Sequence, residues 1–448
     1  MNTRNHMLGN EKMSKLLFKL SLPATIGMIV NALYNLIDTI FVGRGVSPLA
    51  IGGLTIALPI QMIIMAFAQM IGIGTASLIS RSLGAKDIEK ADMASGNAFL
   101  AITILSTLTM IFGLIFIDPL LKFFGATEKL LPYSKAYLSV IFLGSIFYSF
   151  AVASNNIVRA EGNAKVAMFT MIVGTGLNII LDPIFIFVLK LGIKGAALAT
   201  IISQFVSFLY ILKYLYSGKS SIKVKLHHLK PNKEILKEIF SIGSSAFARQ
   251  TAGSILAIII NNSLKTYGSD AAITIYGIIN RFIIFLCMPI FGTVQGMQPI
   301  AGFNYGAKKI DRVKEVVKLS IITTTVLASF GALIAQIFPI SIMKLFGLKD
   351  NLAIEGSKAL RIVISMLPII GIQIVGATFF QSIGKAVPSL ILSLSRQLLF
   401  FIPIVLILPH FIGLYGIWLA FPISDILSTI ITTSLVKREM KKISLKTI

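Results

Sequence analysis

The chain is poor in the residues that most protein chemistry needs. Its 448 residues include one cysteine, Cys287, four histidines and 18 acids, and only 13% of positions are charged. A lone cysteine excludes an intramolecular disulfide framework. The histidines are His6, His227, His228 and His410, with only one adjacent pair and none in the middle of an apolar run, so metal-assisted catalysis lacks a ligand set. A soluble domain would be charged at about a quarter of its positions. The first 15 residues are polar and lack the apolar and small-residue sections of a cleavable leader, so the first apolar span is expected to be retained.

What is present is apolar surface: 55% of residues are hydrophobic and the mean hydropathy is +0.86. Runs long enough to cross a bilayer, about 20 residues each, recur from end to end. They predict spans near 16–43, 48–79, 93–118, 132–158, 166–190, 193–216, 239–264, 271–303, 313–340, 353–382, 386–409 and 411–436. A β-barrel would show short alternating strands instead.

The net charge of +23 invites a nucleic-acid reading, but the distribution argues for topology. With the N-terminus taken as cytoplasmic, that side holds 27 of the Lys and Arg residues and the other side 11, with three arginines inside spans. Basic residues concentrate on the cytoplasmic face, so both termini are expected on the cytoplasmic side of the membrane. The loop after span six carries Lys219, Lys223, Lys225, Lys230, Lys233 and Lys237, suited to anionic lipid rather than nucleic acid.

Internal similarity divides the chain in two. Gly84-Ala85-Lys86-Asp87 answers to Gly306-Ala307-Lys308-Lys309, and Lys122-Phe123-Phe124-Gly125 to Lys344-Leu345-Phe346-Gly347, both at an offset of 222. Gly162 pairs with Gly384 at the same offset. Six spans per half give both halves one direction across the membrane, related by an axis along its normal, with a cavity between them. The expected fold is therefore an all-α integral membrane protein of twelve transmembrane helices. Residues 1–217 form one six-helix lobe, 218–238 a cytoplasmic basic linker and 239–448 a second lobe.

A charge within the bilayer costs about 2.5–3.5 kcal/mol on insertion scales and needs a partner, a proton or a role. Asp38 in span one and Asp182 in span five are such charges. At 1.5 Å per residue they lie about 8 Å and about 12 Å below the outer helix ends, with Thr200 of span six about 10 Å down. Asn178 precedes Asp182 by four residues and shares its helix face. Pro183 has no N–H for the Ile179 carbonyl. Carboxylate, amide, hydroxyl and freed carbonyl oxygens suit Na⁺, and two carboxylates close together also hold a proton readily.

The second half lacks these acids. It carries Arg249, Arg281, Arg396 and Asp425 in its spans, readable either as one structural charge network or as a lining for an anionic or zwitterionic part of a substrate. Gln61, Met62, Met65 and Gln69 in span two and Gln295, Met297 and Gln298 in span eight occupy matching places. Flexible Met and neutral amides suit a promiscuous cavity.

The run Leu33-Tyr34-Asn35-Leu36-Ile37-Asp38-Thr39-Ile40-Phe41-Val42-Gly43 resembles the first-helix signature of the MATE (multidrug and toxic compound extrusion) family. Arg159-Ala160-Glu161-Gly162-Asn163-Ala164-Lys165 is similar to its fourth-to-fifth-helix loop. Gly176-Leu177-Asn178-Ile179-Ile180-Leu181-Asp182-Pro183 with Gly192-Ile193-Lys194-Gly195 resembles its fifth-to-sixth-helix stretch. The resemblance is greatest to the MepA-like and DinF-like bacterial branch. It implies export of amphipathic, mostly cationic drugs or metabolites by antiport with H⁺ or Na⁺. It also places a cation site on Asp38, Asn178, Asp182 and Thr200, and a protonation-linked helix bend at Pro23. The C-lobe acids of NorM-like members are not matched: Glu234 and Glu238 precede span seven, and Glu355 lies at the edge of span ten.

The expectation is thus a transporter rather than an enzyme, active as a monomer, with no cofactor beyond the coupling ion. Its partners are small amphipathic molecules and membrane lipid. A flippase or exporter of lipid-linked or polysaccharide precursors is the alternative, which the arginines favour.

Overall fold

The computed structural model describes residues 3–348 and 350–445, and among these it is helical with no strand. Twelve long helices follow the expected spans. They are α1 (Met13–Gly45), α2 (Pro48–Gly84), α3 (Ile88–Ile115), α4 (Leu131–Ala160), α5 (Ala164–Val188) and α6 (Gly192–Tyr216). The second half supplies α7 (Lys233–Tyr267), α8 (Asp270–Gly306), α9 (Ile310–Ile337), α10 (Asp350–Ile364 with Leu367–Ser382), α11 (Ala386–Ile412) and α12 (Leu414–Leu445). Ten are long and apolar enough to cross a membrane alone, and the two pieces of α10, bent by 44°, make an eleventh. The remaining helix, α7, is less apolar because its first turns are charged and Arg249 sits mid-helix.

Local chemistry sets the helix ends. The Asp87 side chain accepts from Lys90 N–H at 3.0 Å, Asn163 from Val166 N–H at 3.3 Å and Asn232 from Glu234 N–H at 3.0 Å. Each satisfies a donor that the first helical turn leaves free.

The duplication is written into the backbone. Short helices Ile117–Phe123 and Pro339–Leu345 follow α3 and α9. Left-handed residues recur in pairs, with φ of 93° and 92° at Gly125 and Gly347, and 62° and 57° at Lys86 and Lys308.

Three cores show how the two lobes meet. At the end carrying the termini, one large core draws on both lobes, with Leu20, Leu78 and Leu83 packed in the same cluster as Ile300, Phe303 and Phe379. Toward the opposite end the core splits. Val42, Ile64, Leu138 and Ile193 belong to one lobe, and Ile260, Ile279, Val405 and Trp418 to the other. The lobes are therefore joined at the terminal end and have separate interiors at the other.

Two features of the terminal end depart from the sequence reading. Residues Thr3–Asn10, read as a polar tail, form a helix that straps both lobes. Arg4 donates to Glu161 at 3.3 Å and to the Tyr214 hydroxyl at 2.6 Å, while Asn304 donates to the Leu8 carbonyl at 3.0 Å and Lys309 to that of Gly9 at 2.9 Å. The basic linker is also built into the protein. Lys223 N–H donates to Asp92 at 2.8 Å, and Asn97 donates to the His228 carbonyl at 3.2 Å. Its six lysine side chains nevertheless point to solvent, so the backbone is pinned while the charge stays outside.

Candidate functional site

The four residues selected by depth and spacing meet inside the N-terminal lobe. α1 supplies Asp38, α5 supplies Asn178 and Asp182, and α6 supplies Thr200. All are buried, with Asp182 at 0% and Asp38 at 9% exposure. The two carboxyl groups lie within hydrogen-bond reach of each other. In the amide orientation that satisfies its neighbours, Asn178 donates to Asp182 Oδ2 at 2.8 Å and accepts from Thr200 N–H at 3.0 Å. The Thr200 hydroxyl donates to the Ala196 carbonyl at 3.0 Å.

One carboxylate oxygen on each acid, Oδ1 of Asp38 and Oδ1 of Asp182, is buried with no hydrogen-bond partner among the described residues. Two carboxylates in contact and out of water cannot both keep their charge unless a cation or a proton lies between them. The site is therefore chemically incomplete without one. After Pro183, α5 passes into a wide π turn over Ile184–Val188, closed by Leu189 N–H on the Ile184 carbonyl at 2.9 Å. α11 also has a π stretch, at Ser395–Phe401, but on the opposite side of its proline, just before Pro403. α1 runs through Pro23 unbroken, and the residues around it touch α8, with the Ser21 hydroxyl donating to the Thr293 carbonyl at 3.4 Å.

Two residues missed in the sequence complete this cluster. The hydroxyls of Tyr34 and Tyr137 both approach Thr200. Tyr34 precedes Asp38 by four residues, a same-face spacing that could have singled it out. Tyr137 lies on α4, remote in sequence, and nothing local marks it. Gln61, read as part of the substrate cavity, instead approaches Tyr137 at the edge of the cation cluster.

The other cavity candidates gather where the lobes join. Asn156 donates to Gln69 at 3.3 Å. Arg159, at the end of α4, donates to the Gln295 side-chain oxygen across the lobe boundary and to Asn156 at 3.3 Å. Gln295 in turn donates to the Met28 sulfur at 3.4 Å. Gln298 is half-buried with its amide nitrogen unpaired, and Met65 is half-buried. Met62 is exposed, whereas Met297 is fully buried and belongs to the shared core. Arg159 and Asn156 were not singled out in the sequence, because Arg159 reads as a loop residue and its partner lies on the other lobe.

The C-lobe charges do not form one network. Arg396 and Asp425 pair at 2.5 Å, with Asp425 buried. Arg249 and Arg281 have no carboxylate partner among the described residues. A further cluster lies at the terminal end, where His228 Nε2 meets Glu89 at 3.0 Å and His227 Nε2 meets it at 3.4 Å. Lys225 N–H donates to His228 Nδ1 at 3.0 Å, so Nδ1 is an acceptor and Nε2 carries the proton that Glu89 accepts. That tautomer makes the contact a hydrogen bond and leaves Nε2 without a lone pair for a metal.

The family model described as MatE matches the chain twice, over residues 23–184 and 246–407. Among curated proteins, the chain is 29% identical to a multidrug export protein MepA of Staphylococcus haemolyticus, over 90% of this chain and 88% of that protein. It is 30% identical to a multidrug export protein MepA of Staphylococcus aureus, over 90% of this chain and 89% of that one. A solved structure described as MATE in the bent conformation superposes with a TM-score of 0.94 at 28% identity, covering 99% of both chains.

Proposed function

Because this chain belongs to the MatE family of two-lobed, multi-pass membrane transporters, we propose that it is a secondary exporter of amphipathic small molecules, cationic drugs among them. H⁺ or Na⁺ moving inward drives it. The observation that carries the reading is the contact of Asp38 with Asp182, with no cationic side chain paired to either acid among the described residues. A cation arriving there completes the unpaired oxygens, and its departure restores the repulsion. That is a differential interaction of the kind a ligand needs to shift a two-state equilibrium.

The remainder of the mechanism follows from where the lobes join. Both termini and the lysine-rich linker are assigned to the cytoplasm of a bacterial cell by the distribution of basic residues. With the lobes sealed at that end and their cores separate at the other, the molecule faces outward. Cation binding at α1, α5 and α6 loads the outer half of the N-lobe. α1 carries the change to α8 through Ser21 and Thr25, the residues that flank Pro23. Opening the shared core admits substrate from inside, and closing it releases substrate outside. The chain acts as a monomer and needs no cofactor, since one chain contains both lobes.

The test is efflux of ethidium from cells expressing the wild type or Asp182→Asn, with the Na⁺ and H⁺ gradients collapsed in turn. Export by the wild type, its loss in a normally inserted variant and its dependence on one gradient support the proposal. An exporting variant, or export that ignores both gradients, overturns the coupling site.

A further inference from the structure

The fixed charge facing the cleft between the lobes is positive. Among the described residues, three acids lie deep within the long helices. Asp38 and Asp182 are buried in the N-lobe cluster, and Asp425 is buried against Arg396. The arginines differ. Arg159 is half-buried, sits at the lobe junction and among the described residues has neutral partners, Gln295 and Asn156.

Arg281 precedes Gly292 on α8 by eleven residues, three helical turns, so it lies on the same face. That face meets the N-lobe, since a Cβ on Gly292 would touch Thr25 and Gln295 holds Arg159. One turn further out, Gly277 borders open space, and Arg281 is exposed. Arg249 is half-exposed on α7 and follows Ser245, which accepts from Gln381 at 2.7 Å, by one turn. It precedes Gly253, which also borders open space, by one turn. Gln381 is itself at the lobe boundary, where its carbonyl accepts from the Ser77 hydroxyl of α2 at 2.5 Å, so Arg249 shares a face of α7 with a boundary contact. The acids nearest in sequence are Glu238, eleven residues before Arg249 on α7 and paired with Arg81 at 2.8 Å, and Asp270, eleven residues before Arg281 and about 16 Å along α8 from it.

An unpaired arginine inside the bilayer region is kept at a cost and calls for a hydrated cavity and a counter-charge. Arginine also presents a planar fork matched to carboxylate and phosphate oxygens. We propose that the cleft takes substrates bearing an anionic group, a carboxylate above all, which Arg249 and Arg281 receive above the Arg159–Gln295 floor. Zwitterionic amphiphiles meet this requirement together with the apolar walls. The inference rests on the export reading and names the substrate class of that same cleft.

The experiment uses two fluorescent dyes that differ in one group. Rhodamine 110 carries a free carboxylate, and rhodamine 123 is its methyl ester and a net cation. Efflux of each is measured in cells expressing the wild type, Arg249→Met, Arg281→Met and the charge-retaining Arg249→Lys. The expected result is export of rhodamine 110 by the wild type and a loss of at least about tenfold in both Met variants, as for truncating one partner of a desolvated charge pair. Rhodamine 123 efflux should stay within about twofold, the scale of a contact that contributes little, and Arg249→Lys should restore most of the rhodamine 110 efflux. Equal losses for both dyes would show a structural role and overturn the proposal. So would wild-type export of rhodamine 123 without rhodamine 110. Export of neither dye would remove the export reading itself.

Discussion

Gly84 and Gly306 make the same contact in opposite directions across the lobe boundary. A Cβ on Gly84 would meet the Phe303 carbonyl oxygen at 1.9 Å, and one on Gly306 would meet that of Arg81 at 2.0 Å. Positions 84 and 306 are related by the internal repeat, and so are 81 and 303. The seal at the terminal end is therefore a two-fold contact made by one chain, and both halves need a residue without a side chain for the backbones to approach.

Gly84→Val or Gly306→Val should keep the lobes apart at this end. Spin labels at positions 86 and 308 should report a longer mean distance than in the wild type, and export should fall because the outward state is no longer closed behind the substrate. An unchanged distance would show that the seal lies elsewhere.

The N-terminal strap predicts a pH dependence. Glu161 is fully buried and accepts from Arg4 at 3.3 Å, from Ser220 at 3.0 Å and from Ser221 N–H at 2.6 Å, as well as from Tyr214. Burial outweighs these donors and holds its carboxyl above the usual range. A raised carboxyl favours folding most below its unfolded value, and that contribution is lost as pH rises through the folded one. The thermal stability of the wild type relative to Glu161→Gln should therefore decline with rising pH across that window and then level off. Arg4→Ala should cost about 1–3 kcal/mol, the penalty for a buried acceptor that loses a partner. A Glu161→Gln background should reduce that cost.

The Arg396–Asp425 pair predicts an asymmetry. Removing one partner of a buried pair costs about 3–5 kcal/mol, whereas replacing both with apolar residues is close to neutral. Asp425→Ala should thus unfold at markedly lower temperature in detergent, and Arg396→Met with Asp425→Leu should recover most of the loss. Equal damage from single and double variants would contradict a structural pair.

Much of the fold was legible because helix length, repeat offset and charge side are all linear properties of a chain. Asp38, Asp182 and Thr200 could be placed at one depth from the rise per residue alone, and Asn178 from its spacing to Asp182. Contacts between elements far apart in sequence were not legible. Tyr137 reaches the cation cluster from α4, and Arg159 reaches Gln295 on the other lobe. Arg249, Arg281, Arg396 and Asp425 lie on four different helices, and among the described residues only Arg396 and Asp425 pair. The first 15 residues are too polar to suggest a core element, yet the helix Thr3–Asn10 among them is bonded to both lobes.

The central claim is that a cation at Asp38 and Asp182 drives export, and reconstitution tests it most directly. Purified wild type, Asp38→Asn and Asp182→Asn would be placed in liposomes, and ethidium transport followed under an imposed H⁺ or Na⁺ gradient. The wild type should transport ethidium against one cation gradient and stop when it is dissipated. Each variant should lose at least about tenfold of the driven rate, within the range of coupling between two sites, about 5–150-fold. Gradient-driven transport by either variant at the wild-type rate would contradict the account.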